Sequence, residues 1–376
     1  MNILLWSLPL FQVRGITIRA HATFPLLLLW FASAGYNSDG WLGASWAVGL
    51  VGAVFTCVVL HELGHCLVAQ RYGVAVHDII LLPIGGVASL RTIPEEPEKE
   101  LAITIAGPLV NAIIATLLLL IGILYPWVFP DPHPDVLGNR FPNTVAELGG
   151  WILLANVVMI VFNLIPAFPM DGGRIFRALL VRWLGYVGAT RVASYTSQVI
   201  GVFFGALGVL ELDQFGMQAF LLCVIGMLLF FTARAERNMV RIRSVLRGAT
   251  VSDVMGKEFV SFSPSDRIGV CWEKIVRTSQ EDFPVLYDDE LRGVLEGQRL
   301  QDAFRQNDAD ALVGDVMTTS FPTLAPDANL ADAYSLMQNE QWSGVPVLSS
   351  GELIGWLTRD NIHRYCDFPR GSAAGN

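Results

Sequence analysis

The sequence predicts a polytopic α-helical membrane protein, with about six transmembrane helices and short membrane-associated strands, followed by a duplicated α/β module. Three observations carry that prediction. Of the 376 residues, 53% are hydrophobic and 16% charged, with a mean hydropathy of +0.48, a balance foreign to a soluble globule. The long apolar runs fall within residues 1–235, whereas residues 250–367 have the mixed polarity of a soluble domain. Within that second part, segments recur at an offset of 62 residues: Val251–Met255 matches Val313–Met317, Phe283–Leu286 matches Val345–Leu348, and Glu290–Leu295 matches Glu352–Leu357.

Residues 11–22 alternate polar and apolar around Gly15, which suits a short strand at the membrane surface. Spans are expected at about 23–36 and 42–70, separated by the turn residues Asn37-Ser38-Asp39-Gly40. Residues 74–92 alternate and contain Pro83 and Gly85-Gly86, so they read as strands or a hairpin lying back against the bundle. A third span at about 101–125 contains Gly107 and Asn111, small and polar positions suited to close helix packing. Residues 126–146 read as an external loop. Span four, about 148–167, ends in a Pro- and Gly-rich stretch, and spans five and six fall at about 192–210 and 215–233.

Basic residues set the orientation. Arg71, Arg91, Lys99, Arg174, Arg177, Arg182, Arg191, Arg234, Arg237, Arg241, Arg243 and Arg247 fall on one side and only Arg140 on the other. By the positive-inside rule, both termini and the soluble module are cytoplasmic. The domain plan is 1–235 for the membrane part, a basic juxtamembrane linker at 236–249 that also suits anionic headgroups, repeats at 250–305 and 312–367, and a flexible tail at 368–376. A formal charge of −9 argues against nucleic acid as a partner. The five cysteines show no metal or disulfide spacing, and no removable signal peptide is expected.

The second span carries His61-Glu62-Leu63-Gly64-His65. On a helix, residues i and i+4 share a face, which gives zinc two imidazole ligands and sets Glu62 beside it as general base. Ionisable groups at membrane depth cost roughly 2.5–3.5 kcal/mol each, so they are retained for function. A catalytic zinc needs a third protein ligand, and His21, His77, His133 and His363 are poorly placed. Asp171 follows an apolar span in the unwound Pro/Gly stretch and faces the same side. Its competing reading is a cap for the helix that begins near Gly172. Asn163, eight residues before it, is the candidate for a substrate or oxyanion contact.

Three motifs in this order, His61–His65 on a membrane span, Gly107-Pro-Leu-Val-Asn111, and Asn163-Leu-Ile-Pro-Ala-Phe-Pro-Met-Asp171-Gly-Gly, resemble the site-2 protease family of intramembrane zinc metalloproteases. The 62-residue repeat resembles a pair of cystathionine-beta-synthase (CBS) domains, which one branch of that family has at its C-terminus. The resemblance implies that His61, His65 and Asp171 bind one zinc ion, that Glu62 activates a water, and that Asn163 positions the substrate. It also implies cleavage of a single-span membrane-protein substrate within the lipid bilayer. The segments 11–22 and 74–92 are candidates to clamp that substrate by strand addition.

CBS pairs often bind adenine nucleotides. In the second copy, Thr358, Asp360 and Asn361 approximate the phosphate and ribose motif, with Asn361 where an aspartate is usual. In the first copy Glu296 replaces the hydroxyl residue and Arg299 the acidic one, and homodimerisation through the repeats is the alternative role. A reading from another class, a CBS-regulated metal-ion transporter or channel, explains the intramembrane polar residues and the repeats, but not the HExxH spacing.

Overall fold

A computed structural model describes residues 6–83, 85–90, 94, 96–125, 141–275, 278, 280–305 and 310–367. The chain forms two compact units, Met1–Arg237 and Asn238–Asn376.

The first unit begins with strands β1 (Ser7–Val13) and β2 (Ile16–His21), then helix α1 (Phe24–Arg71), strands β3 (Val76–Leu82) and β4 (Gly85–Leu90), and helices α2 (Pro97–Leu124), α3 (Val145–Leu164), α4 (Asp171–Leu210), α5 (Leu212–Phe215) and α6 (Met217–Leu246), whose residues from Asn238 on belong to the second unit. Five of these helices, α1, α2, α3, α4 and α6, are long and apolar enough to cross a membrane. Helix α1 is two helices in one: Asp39 and Gly40 leave helical geometry, and Gly40 takes φ 58°, where glycine meets no Cβ penalty. The break falls on the turn expected at residues 37–40. Helix α4 is likewise broken at Gly185, φ 65°, and its first part, from Asp171 to Leu184, is the helix expected to begin near Gly172. The greater part of the loop expected at 126–146, and the tail at 368–376, lie outside the described residues.

Instead of one strand at 11–22, two strands form a hairpin that turns at Arg14 and Gly15, both with positive φ. The four strands make one sheet in the order β1-β2-β3-β4, with β2 and β3 parallel and the outer pairs antiparallel. Alternation puts Ile16 and Ile18 of β2, and Ile79 and Leu81 of β3, onto Val59, Leu63 and Cys66 of α1 and Ile103 of α2. The sheet is thus seated on the part of α1 that carries the histidines, and β4 is an edge strand.

The second unit repeats one order twice. The first copy is α7 (Val251–Val254), α8 (Ile268–Ile275), β5 (Phe283–Tyr287), β6 (Glu290–Leu295) and α9 (Gly297–Arg305). The second is α10 (Val313–Val316), α11 (Leu330–Asn339), β7 (Gly344–Ser349), β8 (Glu352–Thr358) and α12 (Arg359–Asp367). Each hairpin is antiparallel. Isolated bridges come in reciprocal pairs: Gly256 to Trp356 and Val294 to Thr318, Thr250 to Asn329 and Arg267 to Leu312. Each member maps onto the other when the copies are exchanged, so the sequence offset is a pseudo-twofold in space.

Candidate metal centre

Three buried side chains from two helices converge on one point. His61 and His65 lie on adjacent turns of α1, and Asp171 is the first residue of α4. The two Nε2 atoms are 3.1 Å apart, and Asp171 Oδ2 is 3.3 Å from His61 Nε2 and 3.2 Å from His65 Nε2. A tetrahedral ion with ligand bonds of about 2.0 Å has ligand–ligand edges of about 3.3 Å. The three observed edges match that value.

The protonation pattern points the same way. His65 Nδ1 lies 2.8 Å from the carbonyl oxygen of Ile103, which can only accept, so Nδ1 carries the proton and Nε2 presents a lone pair. The lone pairs of His65 Nε2 and Asp171 Oδ2 would repel across the 3.2 Å between them. A divalent cation removes that repulsion, and the donor set of two nitrogens and one oxygen suits zinc. Among the described residues this is the one cluster of three ligating side chains within metal-binding distance.

The surroundings are built for this geometry. A Cβ on Gly107 of α2 would run into the His65 imidazole and come within 2.8 Å of His61 Cε1, so glycine is what lets α2 lie against both rings. The segment before Asp171 is held by Ser197, whose Oγ accepts the Phe168 N–H at 2.8 Å, and by a turn in which Met170 N–H donates to Ala167 O. Met170, not Asp171, is the N-cap residue of α4, which removes the capping reading and leaves the Asp171 carboxylate to the histidines. Glu62 is half-buried and faces the sheet: a Cβ on Gly86 of β4 would sit 2.7 Å from Glu62 Cγ. The catalytic candidate and the edge strand are neighbours.

The remaining expected site residues lie elsewhere. Asn163 is half-buried near the end of α3 and is not part of the cluster. Asn111 is wholly buried, with no hydrogen-bond partner for either side-chain atom among the described residues. In the second unit, Thr358 donates its hydroxyl to Asn361 Oδ1, Asn361 Nδ2 donates to the Val254 carbonyl at 3.2 Å, and exposed Asp360 pairs with Arg364 at 2.8 Å. Thr358 and Asn361 line a cavity of about 130 Å³ with Trp356 and Arg364. In the first copy Glu296 accepts from Thr318 Oγ1 and pairs with Arg299 at 3.2 Å, beside a cavity of about 560 Å³ lined by Asp282, Gln301, Arg305 and Ser343.

The sequence reading missed a buried ion network. Arg177, counted there among the orienting surface cations, is 1% exposed and bonded to the wholly buried Glu100 of α2 and to Glu236 of α6. Partners this far apart leave no spacing signal. The one hint was an acid at the threshold of an apolar span.

Comparison with known proteins agrees on both parts of the chain. Residues 49–207 match Peptidase family M50, and residues 313–367 match the CBS domain. The chain is 33% identical over 290 residues to zinc metalloprotease MJ0392 of Methanocaldococcus jannaschii, covering 77% of this chain and 78% of that protein. It is 26% identical over 380 residues to Rip3 of Mycobacterium tuberculosis, covering 97% and 94%. Among solved structures, the site-2 protease from Methanocaldococcus jannaschii is 36% identical with a TM-score of 0.42, over 62% of this chain and 95% of that one.

Proposed function

The chain belongs to peptidase family M50, the zinc metalloproteases of the site-2 protease kind, and on that premise we propose that His61, His65 and Asp171 hold one catalytic zinc ion with Glu62 as general base. The family's activity is intramembrane proteolysis, and the substrate we assign is a single-span membrane protein cut in or near its transmembrane helix. The observation that carries this reading is the triangle of three potential ligand atoms, 3.1–3.3 Å on an edge, in a unit of helices long and apolar enough to cross a membrane.

Bound there, zinc supplies a Lewis acid that polarises a carbonyl and lowers the pKa of water toward about 7. Glu62 takes the proton of the attacking water and returns it to the leaving amine. Ile103, through its carbonyl, fixes the His65 tautomer and ring plane. A helical peptide bond is covered by its own hydrogen bonds, so the substrate must unwind before attack. The free edge of β4, beside Glu62, offers an unwound segment backbone partners by strand addition, and Asn163 remains our candidate for a substrate contact. Proline scanning of residues 85–90 should abolish cleavage; proteolysis that survives it counts against the clamp.

We place both halves of α1 across the bilayer, giving six spans, with the termini and the repeat module cytoplasmic as the basic residues dictate. The two copies form a tandem CBS pair, suited to homodimerisation, and the Thr358–Asn361 cleft is the place for an adenine nucleotide. Thr358 and Arg364, which line that cleft, support the placement.

The test compares the purified protein with its Glu62→Ala variant on a labelled membrane-helix substrate. Loss of the general base should slow cleavage about 10²–10⁴-fold. Equal cleavage by both would sink the assignment, and metal flux lost in the variant, without cleavage by either, would favour the transporter.

A further inference from the structure

We propose that Arg177 is a positioning residue for the metal centre, locking the segment that delivers Asp171 to the helix that orients His65. The inference rests on the zinc-protease reading and adds to it a residue that touches neither metal nor substrate.

Arg177 reaches both sides of the site. Its Nε donates to Glu100 Oε1 at 2.9 Å, and its Nη2 donates to the same oxygen. Glu100 lies on α2 three residues before Ile103, whose carbonyl orients His65. The guanidinium carbon also lies 5.1 Å from the ring centroid of Phe168, three residues before Asp171, and 4.9 Å from that of Tyr186. Its Nη1 donates to Glu236 Oε1 of α6 at 2.7 Å. One planar cation therefore joins α2, the approach to Asp171, the second part of α4 and α6.

Stability is a poor reason to keep such a group. Taking an arginine and a glutamate out of water costs more than their attraction reliably returns, and well-packed apolar replacements are often neutral or better. Glu100 Oε2 has no hydrogen-bond partner among the described residues, so burial leaves part of that carboxylate uncompensated there. What the guanidinium provides is direction: a rigid fork toward two carboxylates and flat faces for two rings, which lysine cannot reproduce. Asp171 sits at the start of the helix that carries Arg177, so a shift of that helix moves the carboxylate relative to the histidines.

Two variants of the full-length protein in detergent test this. Arg177→Met/Glu100→Met removes both charges and keeps apolar bulk, and Arg177→Lys keeps the charge but loses the fork. Zinc affinity, measured by competition with a chromophoric chelator, should weaken about tenfold or more in each, the size seen when outer-shell partners are lost. The kcat on a membrane-helix substrate should fall with KM nearly unchanged, and Lys should restore less than half of the lost kcat. A merely structural role would lower the melting temperature and leave the zinc affinity of the folded fraction unchanged; that result overturns the inference, as does wild-type behaviour in either variant. If the double variant does not fold, Arg177→Lys alone decides. A wild type that neither binds zinc nor cleaves would instead overturn the protease reading, so the two failures are distinct.

Discussion

Two buried carboxylates, Asp171 in the membrane unit and Asp282 in the repeat unit, are equally hidden at 8% and 7% exposed, yet their surroundings are opposite. Asp171 faces two imidazole nitrogens, and its Oδ2 accepts no hydrogen bond in good geometry among the described residues. Asp282 faces donors: Oδ1 accepts the Gly297 N–H at 3.2 Å, and Oδ2 accepts those of Ser343 and Gly344 at 2.9 Å each. A carboxylate set against a fixed imidazole acceptor, His65 Nε2, is suited to sharing a cation with it. One turned toward three backbone amides is architecture, a clasp between the first repeat and the second.

The largest effect should come from disturbing the first environment by one atom. Gly107→Ala puts a methyl where the His65 imidazole lies, and either the rings or α2 must move. Overpacking of this kind costs about 1–3 kcal/mol. The displaced histidines should also lose at least tenfold in zinc affinity, with a matching loss of cleavage. Chelator competition checks it; an alanine variant that binds zinc like the wild type would show that the close approach of α2 is not needed.

The same contrast explains what was legible in the sequence. His61, Glu62 and His65 announced themselves because a helix converts a spacing of four into a shared face. Asp171 stood out as an acid in an unwound stretch after an apolar span. The long apolar helices, the break at Asp39 and Gly40, and the 62-residue repeat were also readable from local pattern. Glu100, Arg177 and Asp282 were not, because each acquires its role from partners on distant elements, and an isolated Arg or Asp in sequence looks like surface. The part of α4 before Gly185 was legible only at its start, as the helix expected near Gly172. Its arginines Arg174, Arg177 and Arg182 count as orienting cations in the sequence, while Arg177 is turned inward onto Glu100.

A middle-sized effect should follow from breaking the clasp. Asp282→Ala strands three amides, and a loss of about 2–3 kcal/mol is expected for buried donors left unpaired. Hydrogen exchange at Gly297, Ser343 and Gly344 should accelerate in the full chain while α1 and α4 stay protected. Burial raises the Asp282 carboxyl above the ordinary carboxylate range, against the pull of its three amide donors. The folded state then binds the proton more tightly than the unfolded state. Its contribution is full below the unfolded value near 3.9 and is lost as pH rises through the folded one. Protection of these amides should therefore decline as pH is raised from about 4, once intrinsic exchange is corrected for, and Asp282→Asn should flatten that decline. An unchanged slope in the asparagine variant would remove Asp282 as its cause.

The smallest effect tests whether the second repeat's cleft belongs with Asp171 or with Asp282. Asn361 spends its side chain internally, donating to the Val254 carbonyl and accepting from Thr358. Aspartate could keep the Thr358 bond but not the Val254 one, so a carboxylate oxygen would be left free for a ribose hydroxyl. A hydrogen bond to a charged group contributes about 1.5–3 kcal/mol, from which the carboxylate's lost hydration must be taken. Asn361→Asp should therefore tighten AMP binding by about 1 kcal/mol, roughly fivefold, in calorimetric titration of the full-length protein. The first copy should stay silent in the same titration, because Glu296 sets a negative charge where a phosphate would have to lie. If aspartate binds AMP no better than asparagine, the Thr358–Asn361 pair is a second clasp, and the polar groups of the repeat unit hold its two halves together rather than a ligand.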